Sequence, residues 1–445
     1  MSIKPSLYKI LTIKKDGRDA DFRLAATSID FYEDIMCPTV SCTIQIANSG
    51  GVIKNEETGK MVSLYEGMKI RGGEQVDILI GSNSHTNEDL DYSISTPLYL
   101  NGISNLIRDD RSEFFKMHLV SREAYDNEVT FLEKLYPKGR GSKISDHVLD
   151  IITNSFPLQS GENDIEATSN DYGFWGNQMK PFDAIIKLAS KATSVEGRNN
   201  RPGSAGFFFY QTRRGFAFKS IDSLVSQEVK VPKYVYTDYN VNSVDFKPRG
   251  DLISLDYKIT NFVINNTGSL IDEFRKGTYS SARRLLNPFT FDIQVDDNFT
   301  GNDYSRVNTL GEAFGESGDA VIGGVDFNKF PSRIITETID IGTSEPGVNR
   351  EPNQDPKIFA SQRKMRYNTL FTQSISIQVP LNTCLHAGDL IECVLPSIGD
   401  SEVIEQDRTQ IGGIYMIKEL CHHYDPRASY TSMMLVRDNF GERQK

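Results

Sequence analysis

The sequence contains no stretch near the roughly 18 consecutive apolar residues that a membrane-spanning helix needs. Its start, Met1-Ser2-Ile3-Lys4, lacks the long apolar core of a secretory signal. The expectation is a soluble protein made and used without Sec export. Cysteine is scarce. The five residues Cys37, Cys42, Cys384, Cys393 and Cys421 are odd in number and sit in or beside apolar runs, which argues for reduced, packed thiols against a disulfide framework. Positive charge is short as well, with 49 Lys and Arg against 60 Asp and Glu and a net charge of -11. Sequence-specific nucleic-acid binding is disfavoured, because neutralising phosphates takes clustered cations. The pair Arg213-Arg214 reads as the tip of a turn. The glycine pairs Gly72-Gly73 and Gly323-Gly324 belong to neither G-x-G-x-x-G nor a loop ending in G-K-[ST]. Neither G-x-S-x-G nor H-E-x-x-H occurs, so dinucleotide, ATP and the corresponding hydrolase sites are disfavoured.

What is present is strand pattern. At 445 residues, 38% of them hydrophobic, the chain can bury two to four cores. The first 125 residues are strand-like: Leu7 to Ile13, Phe22 to Phe31, the period-2 run Val40 to Ile46, Leu64 to Ile70, Gln75 to Ile80, Leu98 to Ser104 and Phe114 to Glu123. A second series runs from Ser374 to Arg437, through Ile375-x-Ile377-x-Val379, Leu385 to Val394, Gly413 to Leu420 and Tyr430 to Arg437.

The two series match in order. Thr43-Ile44-Gln45-Ile46 matches Ser376-Ile377-Gln378-Val379. Leu64-x-x-Gly67 with Val76 to Leu79 matches Leu385-x-x-Gly388-Asp389 with Leu390 to Leu395. Leu98 to Ser104 matches Ile414 to Leu420, and Met117 to Glu123 matches Met433 to Asp438. A duplicated β-domain is one explanation and two unrelated β-domains of ordinary hairpin composition the other.

Between the series the pattern changes. Helices are expected from Glu128 to Leu135, from a cap at Ser145 through Val148, Leu149, Ile151 and Ile152 to Pro157, and from Pro181 with Phe182, Ile185, Ile186 and Ala189 on one face. They would pack on the hairpin Phe207 to Gln211 and Gly215 to Ser220, turning at Thr212-Arg213-Arg214. Strands return at Leu252 to Tyr257 and Asn261 to Asn265. Residues 285–350 read as irregular β, including Phe289 to Val295 and Arg333 to Ile341. A linker from Pro346 to Pro356 leads to a helical run from Lys357 to Phe371. The fold class expected is mainly β with a smaller α+β domain, the second β-domain being interrupted by an insertion. The corresponding division is 1–125, 126–240, 241–284 with 372–440, and 285–371.

Chemistry is thin. Cys421-His422-His423 with Cys384 and Cys393 is the best metal candidate, but zinc ligands favour turns at C-x-x-C or H-x-x-x-H spacing, and a strand-end pair facing a neighbour fits better. Asp292, Asp296, Asp297, Asn298, Asn302 and Asp303 lack the EF-hand spacing and its closing Glu, so they read as a solvated loop. Asp109-Asp110 beside Arg111 reads as a hairpin tip. No catalytic, cofactor-binding or metal residue is assigned.

The assembled order resembles the baseplate hub proteins of contractile-tailed, T-even-like phages, especially their cyanophage relatives. The likeness is carried by Phe131-Leu132 through Phe156, by Pro181-Phe182-Asp183-Ala184-Ile185, and by the hairpin from Phe207 to Phe218 with Ile221-Asp222-Ser223-Leu224. It is completed by Leu385-x-x-Gly388-Asp389, Gly413 to Ile417 and His422. The stretch 285–350 has no counterpart in it. The resemblance implies two tube-type β-barrels per chain and a homotrimer whose six barrels form a pseudo-six-fold ring. That ring would join the tail tube to the central spike, let DNA pass, and contact baseplate wedge proteins. It further implies a structural virion component of the tail baseplate, assembled in the host cytoplasm, without enzymatic activity or cofactor. A hub-associated cell-wall hydrolase and a receptor-binding tail protein are the alternatives, disfavoured by the missing catalytic pattern and the missing fibrous stalk.

Overall fold

Two β-barrels share one continuous sheet of 15 strands. The computed structural model describes residues 4–236 and 255–438 apart from 50, 52, 55–58, 83–86, 94–95, 139–141, 158–160, 196–202, 266–268, 289, 300–306, 312–320, 327–330, 341–352, 354–355 and 396–410. The expected strand residues 252–254, the linker at 346–352 and the candidate calcium residues Asn302 and Asp303 lie outside the described residues.

Barrel 1 is built from Leu7–Lys15, Ala26–Asp34, Ser41–Ser49, Gln75–Gly81, Leu98–Arg108 and Ser112–Val120. Alternation along each strand sends Leu11, Ile13, Ile29, Phe31, Ile44, Ile46, Val76, Ile78, Phe115, Met117 and Leu119 into a single core. Barrel 2 uses Tyr234–Tyr236, Lys258–Ile259 continued by Asn261–Ile264, Gln373–Pro380, Leu390–Val394, Gly413–Tyr424 and Tyr430–Arg437. Its ladder closes on itself: each of these strands pairs with the next around the ring, and Tyr234–Tyr236 joins Leu390–Val394 on one side to Lys258–Ile259 on the other.

The duplication extends to individual pairs. Ile44 lies opposite Met117 and Ile377 opposite Met433; Cys42 lies opposite Leu119 and Ile375 opposite Leu435. Both long hairpins carry a bulge at the same place, with Asn101 extra between Leu100 and Gly102 and Lys418 extra between Ile417 and Glu419. The ladders therefore set Leu100 against Ile417 and Leu98 against Tyr415, one residue later than the sequence matching of Leu98 with Ile414. In a strand such a slip would turn core residues outward.

A second correction concerns the loop before the fourth strand. Leu64-x-x-Gly67 is not the counterpart of Leu385-x-x-Gly388; it is a helical turn, capped by the Ser63 hydroxyl accepting from the Glu66 amide at 3.2 Å. The counterpart is Ile70-Arg71-Gly72-Gly73-Glu74. Gly73 N donates to Leu100 O at 2.7 Å and Gly388 N to Ile417 O at 2.8 Å, while Leu100 N donates to Glu74 O and Ile417 N to Asp389 O, both at 2.9 Å. Gly73 and Gly388 have φ of 84° and 90°, which explains why both positions are glycine. The first strand differs in direction: Leu7–Lys15 runs antiparallel to its neighbour Gln75–Gly81, whereas Tyr234–Tyr236 runs parallel to Leu390–Val394.

The α+β module between the barrels centres on the hairpin Phe207–Thr212 and Gly215–Ser220. Phe207, Phe209, Phe216 and Phe218 face the helices Ile144–Ser155 and Pro181–Ala189. Phe208, Tyr210 and Ala217 face barrel 2 through Leu390, Met416 and Val436. Burial on both faces accounts for the unbroken aromatic run. Three expectations shift here. The helix placed at Glu128 to Leu135 is Arg122–Val129, after which β-branched Val129-Thr130 lead into extended chain and Leu135–Tyr136 pairs with Phe174–Trp175. The second helix begins after Lys143, whose amide donates to Asp146, while Ser145 pairs with Thr168. Ile186, expected on the apolar face, is exposed.

Residues 265–372 replace the short connection that residues 35–40 make in barrel 1. They include the helix Leu270–Lys276, a three-stranded sheet of Ile293–Phe299, Ser281–Leu286 and Arg333–Thr338, and the helix Pro356–Leu370. That last helix docks on the module: Arg366 and Asp222, both buried, pair at 3.1 Å, and Gln362 accepts from the Ala205 amide at 3.1 Å.

Candidate functional site: the seam between the barrels

The two barrels are joined strand to strand. Gly413–Tyr424 pairs with Tyr430–Arg437 along one edge and, through residues 419–424, with Ala26–Asp34 of barrel 1 along the other. Ile35 N extends the ladder to Lys418 O at 3.0 Å. At the opposite end the hairpin tip clasps the start of barrel 1: Ser6 N donates to Asp425 O and Ser429 N to Lys4 O, both at 3.1 Å, and the Tyr8 hydroxyl donates to Tyr424 O at 2.9 Å.

Under the seam lies a buried polar cluster contributed by all three units. Glu33 accepts from His386 Nδ1 at 3.1 Å, from Ala387 N at 3.0 Å and from Arg213 N at 2.7 Å. Burial alone would raise the Glu33 pKa, but His386 and the Arg213 amide outweigh it and hold the carboxyl below its usual range. Arg213 sits at the turn tip, as its position in the sequence implies. Its guanidinium reaches Asp89 O at 2.9 Å, Thr383 O at 3.2 Å and the Glu88 carboxylate, so one side chain ties the module to both barrels. Gln211 adds a second tie, accepting from Val40 N at 3.1 Å and Ser121 Oγ at 2.8 Å.

The tempting Cys421-His422-His423 run belongs to this seam. His422 points inward, stacked on Phe31 with ring centroids 6.5 Å apart, and its Nδ1 meets Thr431 Oγ1 at 3.0 Å. Burial drives its pKa down to about 4, so the ring is neutral. His423 points outward and meets Asp30 at 2.6 Å across the seam. Burial pushes the Cys421 thiol up to about 12. Cys393 is buried in the barrel 2 core, and Cys384 lies in the loop beside Asn382. The structure thus brings Cys421 and His423 together at Asp30 and separates the other three. Among the described residues no group of His, Cys, Asp and Glu is placed to hold a metal ion. Asp296 lies on the Ile293–Phe299 strand, opposite Arg283.

Each barrel also carries a matched acid at its Gly-acid turn. Glu74 accepts from the Arg71 and Gly72 amides, both at 2.8 Å, and pairs with Lys15 at 2.6 Å. Asp389 accepts from His386 N at 3.0 Å and pairs with Lys230 at 3.4 Å. These groups fasten loops to strands.

No protein-family model matches the sequence, and a search of curated proteins finds no match. Solved structures do match. The 43 kDa tail protein of prophage MuSo2 from Shewanella oneidensis is 8% identical and superposes with a TM-score of 0.51, covering 97% of this chain and 98% of that one. The tail protein from Neisseria meningitidis MC58 is 9% identical, with a TM-score of 0.49 over 98% of this chain and 97% of that one. The Escherichia coli c3393 protein, a type VI secretion component, gives 9% and 0.41 over 98% of this chain and 79% of that one. At such identities the match to the Shewanella protein establishes a shared fold. Among the described residues no helix is long and apolar enough to cross a membrane.

Proposed function

We propose that this chain is a structural hub of a contractile phage tail, a homotrimer whose six barrels form a pseudo-six-fold ring between the tail tube and the central spike. The observation that carries the reading is the internal seam. Two barrels with the same pairing order are already fused side by side in one sheet, so three chains supply six similar barrels and a three-fold symmetric body with nearly six-fold faces. The excess of 60 acidic over 49 basic residues suits a ring through which DNA passes, since negative walls do not retain phosphates.

In this reading residues 1–125 form the first ring unit and the second is drawn from 241–284 with 372–440, its strands at 258–264 and 373–437 being completed by Tyr234–Tyr236 while residues 265–284 go with the insertion. Residues 126–240 form the α+β spacer, and 285–371 an outer insertion. The partners are the tube, spike and wedge proteins of the virion baseplate, with assembly in the host cytoplasm. The role is mechanical and needs neither catalysis nor cofactor. Light scattering of the purified chain, alone and with the spike protein of the same tail, tests this. The expected mass is that of three copies; a persistent monomer that ignores the spike refutes it.

A further inference from the structure

The internal seam uses one edge of each barrel, and the duplication says where the remaining edges are. The strand of barrel 1 that corresponds to Gly413–Tyr424 is Leu98–Arg108. It pairs along one side with Ser112–Val120, but on the other side only Leu98 and Tyr99 meet Gln75–Gly81. The strand of barrel 2 that corresponds to Ala26–Asp34 is Asn261–Ile264, which pairs with Gln373–Pro380 on one side. Among the described residues, the outer edges of residues 102–107 and 261–264 have no strand partner. We propose that these two edges pair with each other between copies, so that a second copy of this chain repeats the internal seam. The proposal rests on the trimeric reading and specifies its contact.

Ladder positions fix the register. Ile107 lies opposite Phe114 just as His423 lies opposite Tyr430. Val263 lies opposite Ser376 just as Asp30 lies opposite Thr43. Within the chain His423 faces Asp30, so between copies Ile107 faces Val263. Barrel 1 has one residue more at this point, Asn105 at φ 55°, where the ladder slips between Phe114 and Lys116; the slip sets Leu106 beside Ile264.

The side chains at these positions are an independent observation. Ile107 is 64% exposed and Val263 53%, while Leu106 is 41% exposed and Ile264 42%. Two separate strand edges, one in each barrel, therefore show bare aliphatic residues at the places the repeat brings together. The internal seam has the polar pair Asp30–His423 at the same position. Exposed apolar edges are a liability unless a partner covers them, and a strand edge from a second copy supplies both the ladder hydrogen bonds and the aliphatic cover. The contact is heterologous, and in the trimeric reading three head-to-tail repeats of it close the ring.

Cysteine cross-linking tests the pairing. The I107C/V263C double variant is expected to give a reducible covalent species of three chains on non-reducing gels. An equimolar mixture of the I107C and V263C single variants stops at two, and each single variant alone behaves as the parent. Independently, Ile107→Lys is expected to lower the trimer fraction at least tenfold by light scattering, and I107K/V263E to restore it. Trimers by light scattering with no new cross-link, and with no effect of Ile107→Lys, would overturn the seam while leaving the hub reading in place. Monomers at every concentration, with or without the spike protein, would overturn both.

Discussion

Acidification should loosen the seam through His422, and the size of the effect follows from its surroundings. The imidazole is enclosed between Phe31 and Tyr424, and burial lowers its pKa from the ordinary 6.5 to about 4. A histidine held neutral in the folded state and free to protonate in the unfolded state contributes nothing unfavourable above pH 6.5. As pH falls from there toward 4, the unfolded chain takes up the proton first, and folding is progressively penalised until both states are protonated. At pH 4.5 the penalty is about 2.5 kcal/mol, from ~1.4 kcal/mol per unit of pKa difference. Glu33 begins to add to it as the pH enters the usual carboxylate range, because there the unfolded chain takes up the proton while the lowered pKa keeps the folded carboxyl ionised. The measurement is urea unfolding followed by circular dichroism at pH 7.5 and pH 4.5, in the parent and in His422→Phe. Phenylalanine keeps the stack on Phe31 but removes the titration. It also removes the hydrogen bond between His422 and the Thr431 hydroxyl, a loss of ~1–2 kcal/mol at both pH values. Titrations elsewhere in the chain cancel in the comparison, so the variant should lose about 2.5 kcal/mol less than the parent between the two pH values. Equal losses would show that His422 is not held neutral, and would refute the account of the seam core.

The matched glycines offer a second test. Gly388→Ala brings Cβ to 2.4 Å from the buried Tyr210 hydroxyl in addition to the strain of φ 90°, whereas Gly73→Ala meets nothing within 4 Å. The first should cost ~3 kcal/mol and the second ~1–2 kcal/mol in thermal unfolding; equal costs would argue against the Tyr210 contact. Arg366→Met leaves the buried Asp222 carboxylate unpaired and should cost ~3–5 kcal/mol, while Arg275→Met at the exposed Arg275–Asp272 pair should cost under ~1 kcal/mol. A small effect at Arg366 would show that the linker helix does not hold the module as described.

Strand character and the order of the two series were legible because alternation writes burial directly into a strand. The paired runs Thr43 to Ile46 and Ser376 to Val379 were matched residue for residue. The bulges were not legible: Asn101 and Lys418 are ordinary polar residues, and only the facing strand reveals that each is extra. The Leu-x-x-Gly likeness misled because Leu64 to Gly67 has the right letters, while its true rival, Ile70 to Glu74, keeps only the Gly-acid pair at its end. The helix Leu270–Lys276 carries its signals in Ser269, Asp272, Glu273 and Gly277, but it buries no residue, so no apolar stripe drew attention to it. The seam itself was beyond sequence reasoning. Glu33, Arg213 and His386 lie far apart in the chain, and their meeting is set by which strand edges find each other.

The parallel strand Tyr234–Tyr236 bears on how the chain folds during synthesis. Barrel 1 draws its strands from one uninterrupted run, so its sheet can form once residue 120 has emerged from the ribosome. Barrel 2 cannot close until Leu390–Val394 returns to Tyr234–Tyr236, with Cys393 opposite Tyr234 across the whole intervening insertion, a delay that high contact order makes slow. During that interval the completed edge of Ala26–Asp34 is a waiting template, and the first barrel serves as the nucleus on which the second is cast.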